Sequence, residues 1–76
     1  MPVQEAYLRQ YAAFGIVQRT VVKKVADGWM LQVQLGDELH ALQRQRGGNR
    51  TFKSLDKLAV LIEELGLSTF EVQLQN

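Results

Sequence analysis

The chain has 76 residues, 46% of them hydrophobic and 22% charged, with a net charge of +1. At that size one modest core forms, and nothing in the composition is that of a disordered tail. Cysteine is absent, which excludes a disulfide framework, a thiolate nucleophile and a zinc site built on thiolates. No apolar run approaches the roughly 20 residues that span a bilayer, and no basic and apolar leader precedes residue 20. The expectation is one cytoplasmic domain over residues 1–76.

The first predicted element is an amphipathic helix over residues 3–14. Val3, Tyr7, Tyr11 and Phe14 recur at helical spacing, and Leu8 and Ala12 widen the stripe. Pro2 suits a first turn and Gly15 a helix end.

The period then changes. Residues 16–26 are rich in β-branched side chains, and Asp27-Gly28 marks a hairpin turn. The paired Val21-Val22 and Lys23-Lys24 would admit a bulge in that hairpin. Trp29, Leu31, Val33 and Leu35 alternate with Met30, Gln32 and Gln34 as a half-buried strand does. A Gly36-Asp37 turn leads into a third strand over residues 38–45. A two-residue turn there sets Val33 opposite His40, Leu31 opposite Leu42 and Trp29 opposite Arg44, the last pair positioned for a cation–π contact.

Residues 46–50 (Arg-Gly-Gly-Asn-Arg) read as a loop. Ser54 is the predicted N-cap of a second helix, with Asp56 in the first turn and Phe52 packing back over its start. Leu55, Leu58, Ala59, Ile62 and Leu65 form the core stripe, and Glu63 and Glu64 lie on the wet side. Gly66 ends this helix with Leu67 folded onto Ile62. Phe70, Val72 and Leu74 alternate with Glu71 and Gln73 as a last strand. The predicted class is α+β, a single small domain of order α-β-β-β-α-β, with two helices packed on one face of an antiparallel sheet.

Charge is unevenly placed. Between residues 44 and 57, Arg44, Arg46, Arg50, Lys53 and Lys57 stand against Asp56 alone, so this stretch carries +4 while the rest of the chain carries −3. The pair Gly47-Gly48 would expose backbone N–H groups beside guanidinium forks, a combination suited to phosphate or carboxylate. Arg44, Arg46, Gly47, Gly48, Arg50 and Lys53 are therefore the candidate anion or nucleic-acid site. The bland alternative is a solvated loop. Arg19, Lys23 and Lys24 read as charges that guard an edge strand from aggregation.

His40 is the only histidine, and it reads as a partly buried strand residue. No metal and no cofactor is expected, and no nucleophile–base pair or phosphate-loop motif appears. The expectation is a protein without enzymatic activity. Tyr7, Tyr11 and Met30 are candidates for a partner surface, Met30 because its alternation puts it on the polar face with Gln32 and Gln34.

The segment from Trp29 to Leu74 resembles a known family. A tryptophan-led strand ends in Leu35-Gly36, and Arg-Gly-Gly-Asn-Arg-Thr-Phe-Lys-Ser-Leu-Asp turns into a leucine-rich helix. Glu64-Leu65-Gly66-Leu67 and Phe70-Glu71-Val72 follow. The pattern resembles the short ParC-like, partition-associated proteins of plasmids and integrative elements. That resemblance implies an accessory part in inheritance of the element, with no catalytic residues to carry over. By order of elements alone, the first five are similar to the double-stranded-RNA-binding domain. That family grips phosphate with a lysine-rich helix start, where residues 53–57 here offer two lysines and an acid.

Three functional expectations follow. The first is a non-enzymatic module contacting DNA or a DNA-bound protein through the basic loop. The second is a protein–protein adaptor or homodimer that uses a sheet edge or the Tyr7/Tyr11 face. The third is an enzyme holding a phosphorylated ligand at the glycine pair. No membrane partner is expected.

Overall fold

The computed structural model describes residues 3–44 and 47–74. In chain order the elements are β1 (Val3–Gln4), α1 (Glu5–Ala13), β2 (Arg19–Val25), β3 (Gly28–Leu35), β4 (Glu38–Gln43), β5 (Thr51–Phe52), α2 (Leu55–Glu64) and β6 (Glu71–Gln73). The α+β class holds, but the order gains β1 and β5. The sheet is mixed, in the order β1-β4-β3-β2-β6 with β5 also paired to β3. Pairs β1–β4 and β2–β6 are parallel, and the pairs made by β3 are antiparallel. Strand β3 therefore runs against the other five.

That polarity accounts for the placement of the helices. β1–α1–β2 and β5–α2–β6 each link parallel-running strands, and both cross from the β4 side of the sheet to the β2 side. Crossovers strongly prefer one hand, so two that advance in the same direction lie on the same face. Leu8 of α1, Leu58, Leu61 and Ile62 of α2 and its C-cap Leu65 accordingly share one buried cluster with Val3, Val22, Leu31, Val33 and Leu42 of the sheet. The second helix follows its predicted stripe, with Leu61 added to the core. Ser54 Oγ accepts the Lys57 N–H at 3.1 Å, and Leu67 N–H donates to the Ile62 carbonyl at 3.2 Å, closing the predicted terminus.

The first helix departs from expectation. Val3 and Gln4 are extended and pair with Leu42 and Gln43. A β-branched Val3 gains more from burial against Leu42 than from a helix start lacking a side-chain cap. The buried stripe is then Leu8 with Tyr11 and Ala12, the i, i+3, i+4 set. Tyr7 is 54% exposed and Phe14 76% exposed.

The β2–β3 ladder runs unbroken from Arg19↔Gln34 to Val25↔Gly28, so the admitted bulge is absent and Ala26-Asp27 form the turn. Strand β2 lies inside the sheet between β3 and β6, so Arg19, Lys23 and Lys24 do not guard an edge. Arg19 instead holds Glu71 of β6 through two hydrogen bonds of 2.7 and 2.6 Å. Met30 points away from the helices as predicted but is 9% exposed, so little of it is open to a partner. Long neighbours explain this: Lys23 stands opposite, Gln32 lies along the strand, and such side chains cover apolar ground with their stems.

Val33 faces His40 as predicted. Trp29, however, faces Phe52, because β4 ends at Gln43 and the chain leaves the ladder before rejoining β3 as β5. Lys24, directly opposite Trp29, supplies the cation over the indole at 6.0 Å.

Gly28 sits where this rejoining is tightest. Its φ is +139°, and a Cβ there would meet the Phe52 carbonyl oxygen at 2.2 Å. At Gly36, φ +67°, a Cβ meets nothing within 4 Å. Gly28→Ala should therefore cost about 3 kcal/mol in urea unfolding, against about 1 kcal/mol for Gly36→Ala. Equal costs would mean that β5 does not press on the β2–β3 turn.

Candidate functional site

The chain between β4 and β5 is closed at its base by two backbone hydrogen bonds that together make the antiparallel bridge between Gln43 and Asn49: Arg44 N–H donates to the Gly48 carbonyl at 3.0 Å, and Arg50 N–H donates to the Leu42 carbonyl at 2.9 Å. Gly47 and Gly48 both have positive φ, +83° and +75°, with open space around each Cα. Two successive left-handed residues carry the chain back toward β5, which a β-branched pair would resist. Strand β1 pairs with the same end of β4, so the start of α1 comes to lie beside this excursion.

Between them is a cleft of about 670 Å³ lined by Gln4, Glu5, Ala6, Arg9, Gln43, Arg44, Arg50 and Thr51. Three guanidinium groups thus face one carboxylate. Glu5 is shared: Arg9 Nη2 and Nε donate to its Oε2 at 2.9 and 3.1 Å, and Arg50 Nη1 donates to its Oε1. Arg9 also lies 3.7 Å from Glu64 at the end of α2. The Arg50 guanidinium stacks over the Phe52 ring, 4.7 Å from its centroid. The hydrogen bond from Arg9, reinforced by Arg50, holds the Glu5 carboxyl below the usual carboxylate range, against the opposing effect of burial.

The side chain of Arg44 behaves differently. It is exposed, lies on the wall of the cleft, and makes no ion pair or hydrogen bond among the described residues. Of the six predicted site residues, then, Arg44 and Arg50 meet at one cleft. Gly47 and Gly48 shape the excursion beside it. Lys53 is exposed and does not line the cleft, its Cα lying toward Gly28 at the β2–β3 turn. Arg46 falls outside the described residues, as do Pro2 and Gln45, so their predicted roles lie there too. Sequence reading missed Arg9 and Glu5. Their i, i+4 spacing was a visible sign of a helical ion pair, but nothing local joins that pair to a loop some 45 positions further on.

Of the proposed partner surface, Tyr7 is exposed, while Tyr11 packs against the core. His40 is half-buried on β4. Among the described residues no group of three or more His, Asp or Glu side chains could hold a metal ion. No helix there is long and apolar enough to cross a membrane.

The fold and cleft define a small mixed-sheet α+β domain with an arginine-walled notch at one sheet edge. The sequence matches the model of the ParC-like family over residues 3–76, and the chain belongs to that family. No curated protein and no solved structure matches it.

Because Glu5 titrates below an ordinary glutamate when folded, it adds stability above the unfolded value of about 4.3, and that stability is lost as pH falls through the lowered folded value. The difference in unfolding free energy between the wild type and Glu5→Gln should therefore be constant near neutrality and shrink in acid below pH ~4. A difference independent of pH would show that the Glu5 charge adds nothing to folding.

Proposed function

We propose that this protein is a non-enzymatic accessory module in the maintenance of a plasmid or integrative element, acting in the bacterial cytoplasm. It contacts the phosphate backbone of duplex DNA through Arg44 and Arg46, with Lys53 as an outlying contact. Membership of the ParC-like family supports the partition-related setting. The observation that carries the DNA contact is Arg44, an exposed guanidinium with no acid partner among the described residues, on the wall of an open cleft that already holds Arg9 and Arg50. Arg50 has a different job. Bound by Glu5 and stacked on Phe52, it fixes the cleft wall rather than greeting a ligand.

A planar donor fork held on an ordered backbone suits a phosphate oxygen pair. The net charge of +1 limits the contact to a few phosphates, so affinity rests on a local patch rather than on a broadly basic surface. A DNA-bound protein with an acidic surface would satisfy the same groups, and a comparison of duplex DNA with acidic polypeptide separates the two.

The test is fluorescence anisotropy of a labelled duplex titrated with protein across a salt series. Affinity should fall with rising salt, and Arg44→Ala should weaken binding on every sequence while reducing the log–log salt slope by about 1. Lys53→Ala should have the smaller effect. No binding to any duplex at low salt would remove the reading.

A further inference from the structure

Strand β6 closes the sheet on the side away from the arginine cleft. It pairs with β2 on one side, Val21↔Glu71, Val22↔Val72 and Lys23↔Gln73, and it is the last strand in the sheet order. Exposed edges normally carry lysine, proline or a bulge that discourages a second chain from adding on. Residues 70–74, Phe-Glu-Val-Gln-Leu, contain neither lysine nor proline, and the ladder to β2 has no bulge. The one charge, Glu71, is taken up by Arg19 of the same chain. Val72 is nevertheless 43% exposed and Leu74 64% exposed. Because Val72 stands opposite Val22 of the core, it projects on the helix-covered face.

We propose that β6 is a self-association edge whose partner is a second copy of this chain, added antiparallel about a two-fold axis at Val72. The register is self-complementary. With Val72 opposite Val72 of the second copy, Glu71 meets Gln73 and Phe70 meets Leu74, so apolar residues pair on one face and polar residues on the other. Moving the axis one residue toward the N-terminus would oppose Glu71 to itself, and like charges directly opposite are destabilising. The register centred on Val72 is thus favoured over the one centred on Glu71. It covers exposed Val72 of the strand and Leu74 just beyond it, and extends a small core, a usual need of a domain this size. It also leaves both arginine clefts at the outer ends of one continuous sheet, so it does not compete with DNA.

Sedimentation velocity on the full chain tests this directly, with a dimer expected to grow as concentration rises from micromolar. Val72→Lys should raise the dimer dissociation constant at least about tenfold while leaving the unfolding transition cooperative. Since the chain lacks cysteine, Val72→Cys can be trapped with a short bismaleimide. It should form a covalent dimer, whereas Tyr7→Cys should not, and this result decides the matter even if Val72→Lys fails to fold. A strict monomer up to millimolar concentration would overturn the proposal. So would a dimer unaffected by Val72→Lys, or one trapped through Tyr7→Cys in place of Val72→Cys.

Discussion

Leu42 is the point on which the architecture turns. Its side chain is almost wholly buried, its backbone stands beside Val3, and its carbonyl accepts the N–H of Arg50. One residue thus ties the N-terminal strand, the third long strand and the returning chain together. With β1 beside its end, β4 gives way at Gln43 and the chain swings out before pairing again with β3. The cleft is the space that this detour leaves beside the start of α1. Its walls are backbone-paired on both sides, which gives the guanidinium groups fixed roots.

The electrostatics of the cleft divide its three arginines by role. Glu5 can satisfy two guanidinium groups because its two oxygens face opposite ways, one toward the next helical turn and one across to the excursion. Exposed ion pairs of this kind add little each, but a shared carboxylate couples α1 to Arg50 at the end of the excursion. The third arginine, Arg44, has no such partner among the described residues. A guanidinium not already committed to a carboxylate can take up an anion without first breaking an internal ion pair, at the cost of ordering its own side chain.

Much of the fold is legible in the sequence because local rules and tertiary packing agree there. The second helix declares its cap at Ser54, its stripe and its glycine stop, and all three hold since nothing downstream competes. The β3–β4 register follows from a two-residue turn. The failures share one cause, which is long-range pairing. Val3 looks helical by spacing, yet Leu42 draws it into a strand. Arg44 looks like a strand residue opposite Trp29, yet the detour hands that position to Phe52. Met30 falls on the polar face as the alternation requires, but burial depends on how far its neighbours' stems reach, which period-2 patterning does not encode. For the site, the basic run and glycine pair are readable, whereas Glu5 and Arg9 join it only once β1 is seated against β4.

An amide chemical-shift titration with short duplex DNA bears most directly on the central claim, since it maps contact residue by residue. The cleft interpretation requires the largest perturbations at Arg44, Gly47, Gly48 and Asn49, with smaller ones at Glu5 and Arg9 as the ion-pair network adjusts. Perturbations confined to Tyr7, Phe14 and their side of α1, or none at all at low salt, would contradict it.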